Sequence, residues 1–222
     1  MIKIITKLVL KPFSKAVYRP VVEGLENVPR KGGVILASNH LSFIDSVVIP
    51  LTAPRPISFL AKVEYWQGKG FKGRVMRGFF EAIEAVPVKR GEIHLAQVAL
   101  DSALAVLENG KAFGIYPEGT RSLDKRLYRG KTGVAWLALK AGVPVVPVAL
   151  AGTDEIQPVG TRRPRIRKVT VKFGEPLDFS HLHGQERNAR VRRQVTDEVM
   201  AAIHALSDQE LAEVYNEVPK AA

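Results

Sequence analysis

The sequence predicts an α/β fold: a single-domain sandwich in which a central mixed sheet is flanked by helices, preceded by a short basic amphipathic N-terminal helix. Three observations carry that expectation. Short runs rich in branched apolar residues, Gly33 to Ser38 and Ile57 to Ala61, have the length and composition of strands buried on both faces. Between such runs lie helical periodicities, above all Glu92 to Asn109, with Ile93, Ala96, Leu100, Leu104 and Leu107 on one face and Gly110 as the stop. A further strand-like run, Val143 to Ala149, contains Pro144 and Pro147, which place it at an edge or a bulge and argue against a uniformly parallel sheet.

Taken in chain order, the opening segment carries Lys3, Lys7, Lys11, Lys15 and Arg19 at a spacing of four with no acidic residue among them. Steps of four drift only about 40° each on a helix, so these cations form one slanting stripe. Ile2, Ile5, Leu8, Val9 and Phe13 take the other side, a pattern suited to a helix lying in a membrane interface or packed on its own domain, with Pro12 breaking it. Residues 1–20 are therefore read as a basic membrane-surface segment and 21–222 as one domain. Gly33 to Ser38 ends at Asn39, which puts His40 just past a strand's carboxyl end, where open α/β sheets bind ligands. Ser42 and Asp45 resemble a capping box opening a helix that runs to Ile49 before Pro50. After the strand ending at Ala61, the Gly- and Lys-rich stretch Gln67 to Arg74 reads as a mobile connection, and Ala82 to Val88 as a strand delivering Lys89, Arg90 and Gly91. Ala112 to Tyr116 is a strand presenting Pro117-Glu118-Gly119-Thr120-Arg121, and Thr132 to Lys140 a helix. Arg165 to Phe173 completes the strands, Arg187 to Leu206 is a helix, and the acidic stretch after Ser207 is expected to be helical.

Composition narrows the chemistry. The chain of 222 residues contains no cysteine, which excludes disulfides, thiolate metal sites and acyl-cysteine intermediates. Its net charge of +11 implies an anionic partner: nucleic acid, an anionic membrane surface or a phosphorylated substrate. No aromatic-basic repeat, zinc spacing or basic recognition helix is present, so nucleic acid is not expected. His94, His181, His183 and His204 lack acidic companions at ligand spacing, and no metal is expected. The longest stretches free of charged residues, Gly32 to Ile44 and Ala141 to Thr153, fall short of the roughly 20 residues a spanning helix requires, so any membrane contact is expected at the surface.

The reactive candidates lie in Asn39-His40-Leu41-Ser42-Phe43-Ile44-Asp45. Histidine is the side chain whose ordinary pKa suits a general base at neutral pH, and a nearby carboxylate can fix its tautomer and stabilise the imidazolium. Asp45 is that carboxylate; its alternative use is to cap the following helix. Asn39 and the backbone N–H groups at the strand-helix junction are candidate oxyanion donors, with a turn or cap as the other reading of the asparagine. Arg162, Arg163, Arg165, Arg167 and Lys168 form either an anion-facing surface or a charged edge strand.

An Asn-His-x4-Asp block followed by Pro-Glu-Gly-Thr-Arg resembles the glycerolipid acyltransferase family typified by 1-acylglycerol-3-phosphate acyltransferase. Ala82 to Arg90 is similar to that family's second block and Gly142 to Val148 to its fourth; Gly130-Lys131-Thr132-Gly133 and Val171 to Leu177 also match, so the likeness covers most of the chain. Tyr116 stands where Phe is usual, and Glu84 where Gly is common. The resemblance implies transfer of a fatty acyl group from acyl-CoA or acyl-ACP, with no cofactor, to a hydroxyl of a glycerol phosphate, lysophosphatidate first. His40 would be the base and Asp45 its orienting group, Arg90 and Arg121 would hold phosphate with Lys131 as a third cation, and Glu118, Gly119 and Thr120 would bind the glycerol portion. The substrate's own oxygen being the nucleophile, no serine or cysteine elbow is required. Glycerol 3-phosphate, another lysophospholipid or a glycolipid are alternative acceptors within the family, and a noncatalytic anionic-lipid-binding protein is the alternative outside it. The expected location is the cytoplasmic face of the cell membrane, peripheral or monotopic.

Overall fold

In a computed structural model of the chain, the described residues form a single sheet of seven strands in the order β1-β7-β6-β2-β5-β3-β4. The structure describes residues 18–82, 85–88, 93–158, 161 and 165–217; residues 1–17 of the basic segment, Arg90, His94 as a side chain, Arg162 and Arg163 lie outside that description. The strands are β1 (Val21–Glu23), β2 (Val34–Ser38), β3 (Ile57–Lys62), β4 (Val86–Val88), β5 (Ala112–Ile115), β6 (Val145–Ala151) and β7 (Thr170–Phe173). The helices are α1 (Asp45–Thr52), α2 (Glu64–Gln67), α3 (Gly70–Ala82), α4 (Ile93–Glu108), α5 (Gly133–Ala141), α6 (Thr153–Ile156) and α7 (Ala189–Leu206). Strands β6, β2, β5, β3 and β4 run parallel, while β7 is antiparallel to β6 and carries β1 parallel to itself, so the sheet is mixed as predicted.

β2 lies at the centre, and every one of its residues is buried. Its alternating side chains feed two cores, because successive residues of a strand point to opposite faces. Ile35 and Ala37 join Phe113 and Val145 beneath Leu107 of α4, Leu137 of α5 and Val199 and Ile203 of α7. Val34 and Leu36 join Val146, Val148, Val171 and Phe173 against Ile49 of α1. Both faces covered is the condition under which a strand reads as an unbroken apolar run.

Several sequence expectations are corrected. β6 is an interior strand, between β2 and β7, so of the edge and the bulge that its prolines allow, the bulge is the one found. Pro147 is accommodated where the β7 side of the ladder changes register: Val148 pairs with Phe173, but Val145 bridges Leu177, so one extra residue is bulged out opposite Pro147. Gly174 N still donates to Pro147 O at 2.8 Å, and the missing proline N–H falls where the regular ladder has ended. From Gln67 to Arg74 the chain closes α2 and opens α3, with Gly68 and Lys69 between them, and α3 continues to Ala82, so the strand begins only at Val86. The glycines there serve packing: a Cβ on Gly73 would lie 2.0 Å from Gly68 O. α1 starts at Asp45 and passes through Pro50 to Thr52. Arg165 to Lys168 is exposed and outside any strand, β7 beginning at Thr170. The acidic stretch after α7, as far as residue 217, is irregular rather than helical, with one bridge at Leu211.

Candidate active site

The parallel strands β2 and β5 end side by side, which brings the two sequence blocks together at one edge of the sheet. Ser122 N donates to His40 O at 2.7 Å, joining them directly. The His40 side chain is 16% exposed, and its Nδ1 lies 2.8 Å from Asp45 Oδ2, itself fully buried. With a carboxylate on Nδ1, the proton sits on that nitrogen and Nε2 carries the lone pair.

Both readings of Asp45 are realised by one oxygen. Oδ2 accepts from Leu41 N at 2.7 Å and from Ser42 N at 2.8 Å as well as from the imidazole. The carboxylate that caps the turn into α1 is therefore held rigidly enough to orient the base. Oδ1 is buried with no hydrogen-bond partner among the described residues. Tyr116 lies flat against the imidazole, ring centroids 3.9 Å apart and 9° from parallel, and Phe59 backs it at 5.4 Å. The hydroxyl that distinguishes this residue from phenylalanine is 2.9 Å from Ser46 Oγ on α1. Burial, with Asp45 nearby, pushes the Tyr116 phenol well above its usual pKa of 10, so it stays neutral.

Asn39 is not available as an oxyanion donor. Its Oδ1 accepts from Leu150 N at 2.8 Å and its Nδ2 donates to Leu150 O at 2.9 Å and to Gln209 Oε1 at 2.6 Å, which occupies both amide hydrogens. The amides of His40, Leu41 and Ser42 are likewise taken up, by Glu118 and Asp45.

Glu118 is fully buried, and each carboxylate oxygen accepts from a backbone amide, Oε1 from His40 N at 2.9 Å and Oε2 from Tyr128 N at 3.0 Å. Burial dominates its titration and raises the carboxyl to about 7, against the two amide bonds, which favour the ionised form. It braces the loops around the base. Gly119, at φ 77, turns the chain outward, and the Lys131 side chain lies across it, Nζ about where a Cβ would make contact at 3.0 Å. Thr120 and Arg121 follow, half-buried, and Lys131 is exposed. Among the described residues neither Arg121 nor Lys131 is in an ion pair. Arg121 adjoins Ser122, whose N–H donates to His40 O, and Lys131 N donates to Pro117 O, whereas Glu118, for which glycerol binding is the expectation, faces inward.

A cavity of about 630 Å³ opens on the other side of Leu41, between β1, β7 and the end of α7. It is lined by Glu23, Glu155, Asp208 and Glu210 and by Lys168 and Lys172, and its Lys125 and Arg126 are paired with Asp154 and Asp124. The acidic groups outnumber the basic ones in this lining.

A histidine bonded to a buried carboxylate at the carboxyl end of a central strand, on an α/β scaffold, is an arrangement able to serve as a general base. The model of the Acyltransferase family matches residues 19–151, and the chain belongs to that family. It is 32% identical over 169 residues to the 1-acyl-sn-glycerol-3-phosphate acyltransferase of Bacillus subtilis, covering 74% of this chain and 78% of that one. A chloroplastic 1-acyl-sn-glycerol-3-phosphate acyltransferase of Brassica napus is 33% identical over 145 residues, 65% of this chain and 40% of its own length, so the chain spans about two fifths of that relative. The crystal structure of the 1-acyl-sn-glycerophosphate acyltransferase PlsC from Thermotoga maritima superposes with a TM-score of 0.66 at 29% identity, covering 90% of this chain and 79% of that one.

Proposed function

We propose that this protein transfers a fatty acyl group from an acyl thioester to the free hydroxyl of 1-acylglycerol 3-phosphate, forming phosphatidate. The observation that carries the reading is the His40 Nδ1 to Asp45 Oδ2 bond of 2.8 Å, which leaves Nε2 as a base on the edge where Arg121 and Lys131 stand. Nε2 takes the proton of the acceptor hydroxyl as its oxygen attacks the thioester carbonyl. A C–O bond forms, the C–S bond breaks, and the proton passes from the imidazolium to the departing thiolate. Arg121 and Lys131 hold the acceptor's phosphate, and Asp45 stabilises the imidazolium while it exists. Because the junction amides and Asn39 are occupied, the donors that stabilise the tetrahedral oxyanion lie elsewhere on the rim. The names of the relatives support the choice of acceptor, and acyl-CoA or acyl-ACP is the donor.

The protein meets its lipid substrate at the cytoplasmic face of the cell membrane, as a peripheral or monotopic protein. What supports this is the net charge of +11 and the finding that no helix among the described residues is long and apolar enough to cross a bilayer. Sedimentation with anionic vesicles, weakening as salt rises, is expected; salt-independent association would contradict an electrostatic attachment.

The deciding assay is thiol release from palmitoyl-CoA or palmitoyl-ACP with 1-acylglycerol 3-phosphate, glycerol 3-phosphate, a glycolipid or no acceptor. Release requiring 1-acylglycerol 3-phosphate, and reduced at least about 10²- to 10⁴-fold in His40→Ala at unchanged melting temperature, is the expected result. Activity retained in His40→Ala would overturn the mechanism. Lipid binding with no acceptor-dependent release from either donor would make this a noncatalytic lipid-binding protein.

A further inference from the structure

Beyond α7 the chain turns back along the loop that joins Arg121 to Lys131. Leu127 N donates to Glu210 O at 2.8 Å, Ala212 N to Leu127 O at 2.9 Å and Arg129 N to Val214 O at 2.9 Å, a short parallel ladder centred on the Leu127–Leu211 bridge. Asn216 Nδ2 donates to Arg121 O at 3.2 Å, and the Arg129 guanidinium lies 5.3 Å from the Tyr215 ring centroid. At the head of the segment stands Gln209. Its Oε1 accepts from Asn39 Nδ2 at 2.6 Å, and its Nε2 donates to Lys125 O at 2.5 Å. One amide therefore ties the residue preceding His40 to the loop that carries the cations.

Two features set this segment apart from a tail that merely packs on the core. Leu211, Val214 and Tyr215 remain 51%, 57% and 46% exposed, so little apolar surface is gained by docking it. In addition, Lys125 and Glu213, on either side of the ladder, have φ of 67° and 54°, a left-handed backbone that non-glycine residues keep only where their surroundings impose it.

We propose that residues 208–217 act as a strap that sets the separation between the base and the cationic loop, with Gln209 as the positioning residue that couples them. The proposal rests on the acyltransferase reading. Displacement of a reacting group by about 1 Å can cost about 10²-fold in rate, so loss of the bridge registers in turnover even where folding is intact.

The test compares wild type with Gln209→Met, which removes both bonds at similar volume, and Gln209→Glu, which keeps the acceptor for Asn39 but cannot donate to Lys125 O. Gln209→Met is expected to lower kcat by about 10- to 10²-fold and raise the acceptor KM, with the donor KM and melting temperature near wild type. Gln209→Glu is expected to show the same acceptor-side defect, because the loop half of the bridge is lost. Hydrogen exchange should quicken at the Leu127 and Arg129 amides in both. Wild-type kcat and acceptor KM in Gln209→Met would overturn the proposal, as would a loss that follows melting temperature alone. If the wild type shows no acyl transfer, the functional reading fails separately. The exchange arm then decides: faster exchange at Leu127 and Arg129 supports the strap, and unchanged exchange sinks it.

Discussion

At the scale of single residues, Asp45 has two tasks that substitutions can separate. Asp45→Ala removes the acceptor for two buried amides, Leu41 N and Ser42 N, and should cost about 1–3 kcal/mol for each in chemical denaturation. Asp45→Asn can keep its carbonyl oxygen toward those amides and toward the His40 Nδ1–H but carries no charge to stabilise the imidazolium. It should stay near wild-type stability while losing about 10²-fold or more in turnover; an Asn variant with wild-type turnover would reduce Asp45 to a cap. His40 and Asp45 were legible in the sequence because their chemistry depends on residue type and a local spacing of five. Asn39 and Glu118 were not. An oxyanion donor and a turn or cap are the sequence readings of Asn39, and glycerol binding that of Glu118; what occupies them is Leu150 and Gln209 for the first and the His40 and Tyr128 amides for the second. Leu150 and Gln209 are distant in sequence from Asn39, and no local pattern records such pairings.

At the scale of elements, β5 controls the site from beneath. A Cβ on Gly114 would lie 2.1 Å from Phe59 Cζ, so the bare backbone of β5 makes room for the ring of β3 that backs Tyr116, which in turn stacks on His40. Gly114→Ala should therefore destabilise by about 1–3 kcal/mol through overpacking and also depress turnover by shifting the imidazole. Full activity at a lowered melting temperature would show that the aromatic stack does not transmit the displacement. The alternation of apolar strands and periodic helices made β2, β3, β5, α4, α5 and α7 readable in advance. The failures have physical causes. Glycines between Gln67 and Arg74 look like loop residues but here permit two helical segments to approach closely. Prolines allow an edge or a bulge, and the packing decides for the bulge: an extra residue in the segment after β7 removes the demand for the N–H that Pro147 lacks. The acidic spacing after Ser207 suggests a helix, but the backbone there bonds to Leu127 and Arg129 instead.

At the scale of the whole molecule, stability should carry a signature of the buried carboxyl between its two loops. Glu118 titrates at about 7 in the folded protein against an ordinary 4.5, so the folded state holds its proton over an interval in which the unfolded chain has released it. The resulting contribution to stability is complete below about pH 4.5, declines as pH rises and is gone above about pH 7. Denaturant unfolding at pH 5 and 7.5 should show this decline in wild type and its absence in Glu118→Gln, whose amide meets a backbone N–H at a cost independent of pH; parallel pH profiles would refute the assignment. The sequence by itself determined the α/β class, the mixed sheet, the pairing of His40 with Asp45 and the family likeness, because these depend on residue type, apolar period and short spacings. Only the tertiary structure decided that β6 is interior, that Glu118 and Asn39 brace the site from within, and that residues 208–217 lie along the loop between Arg121 and Lys131. Those outcomes arise when buried polar groups far apart in the chain must find partners, a requirement satisfied by the folded arrangement as a whole.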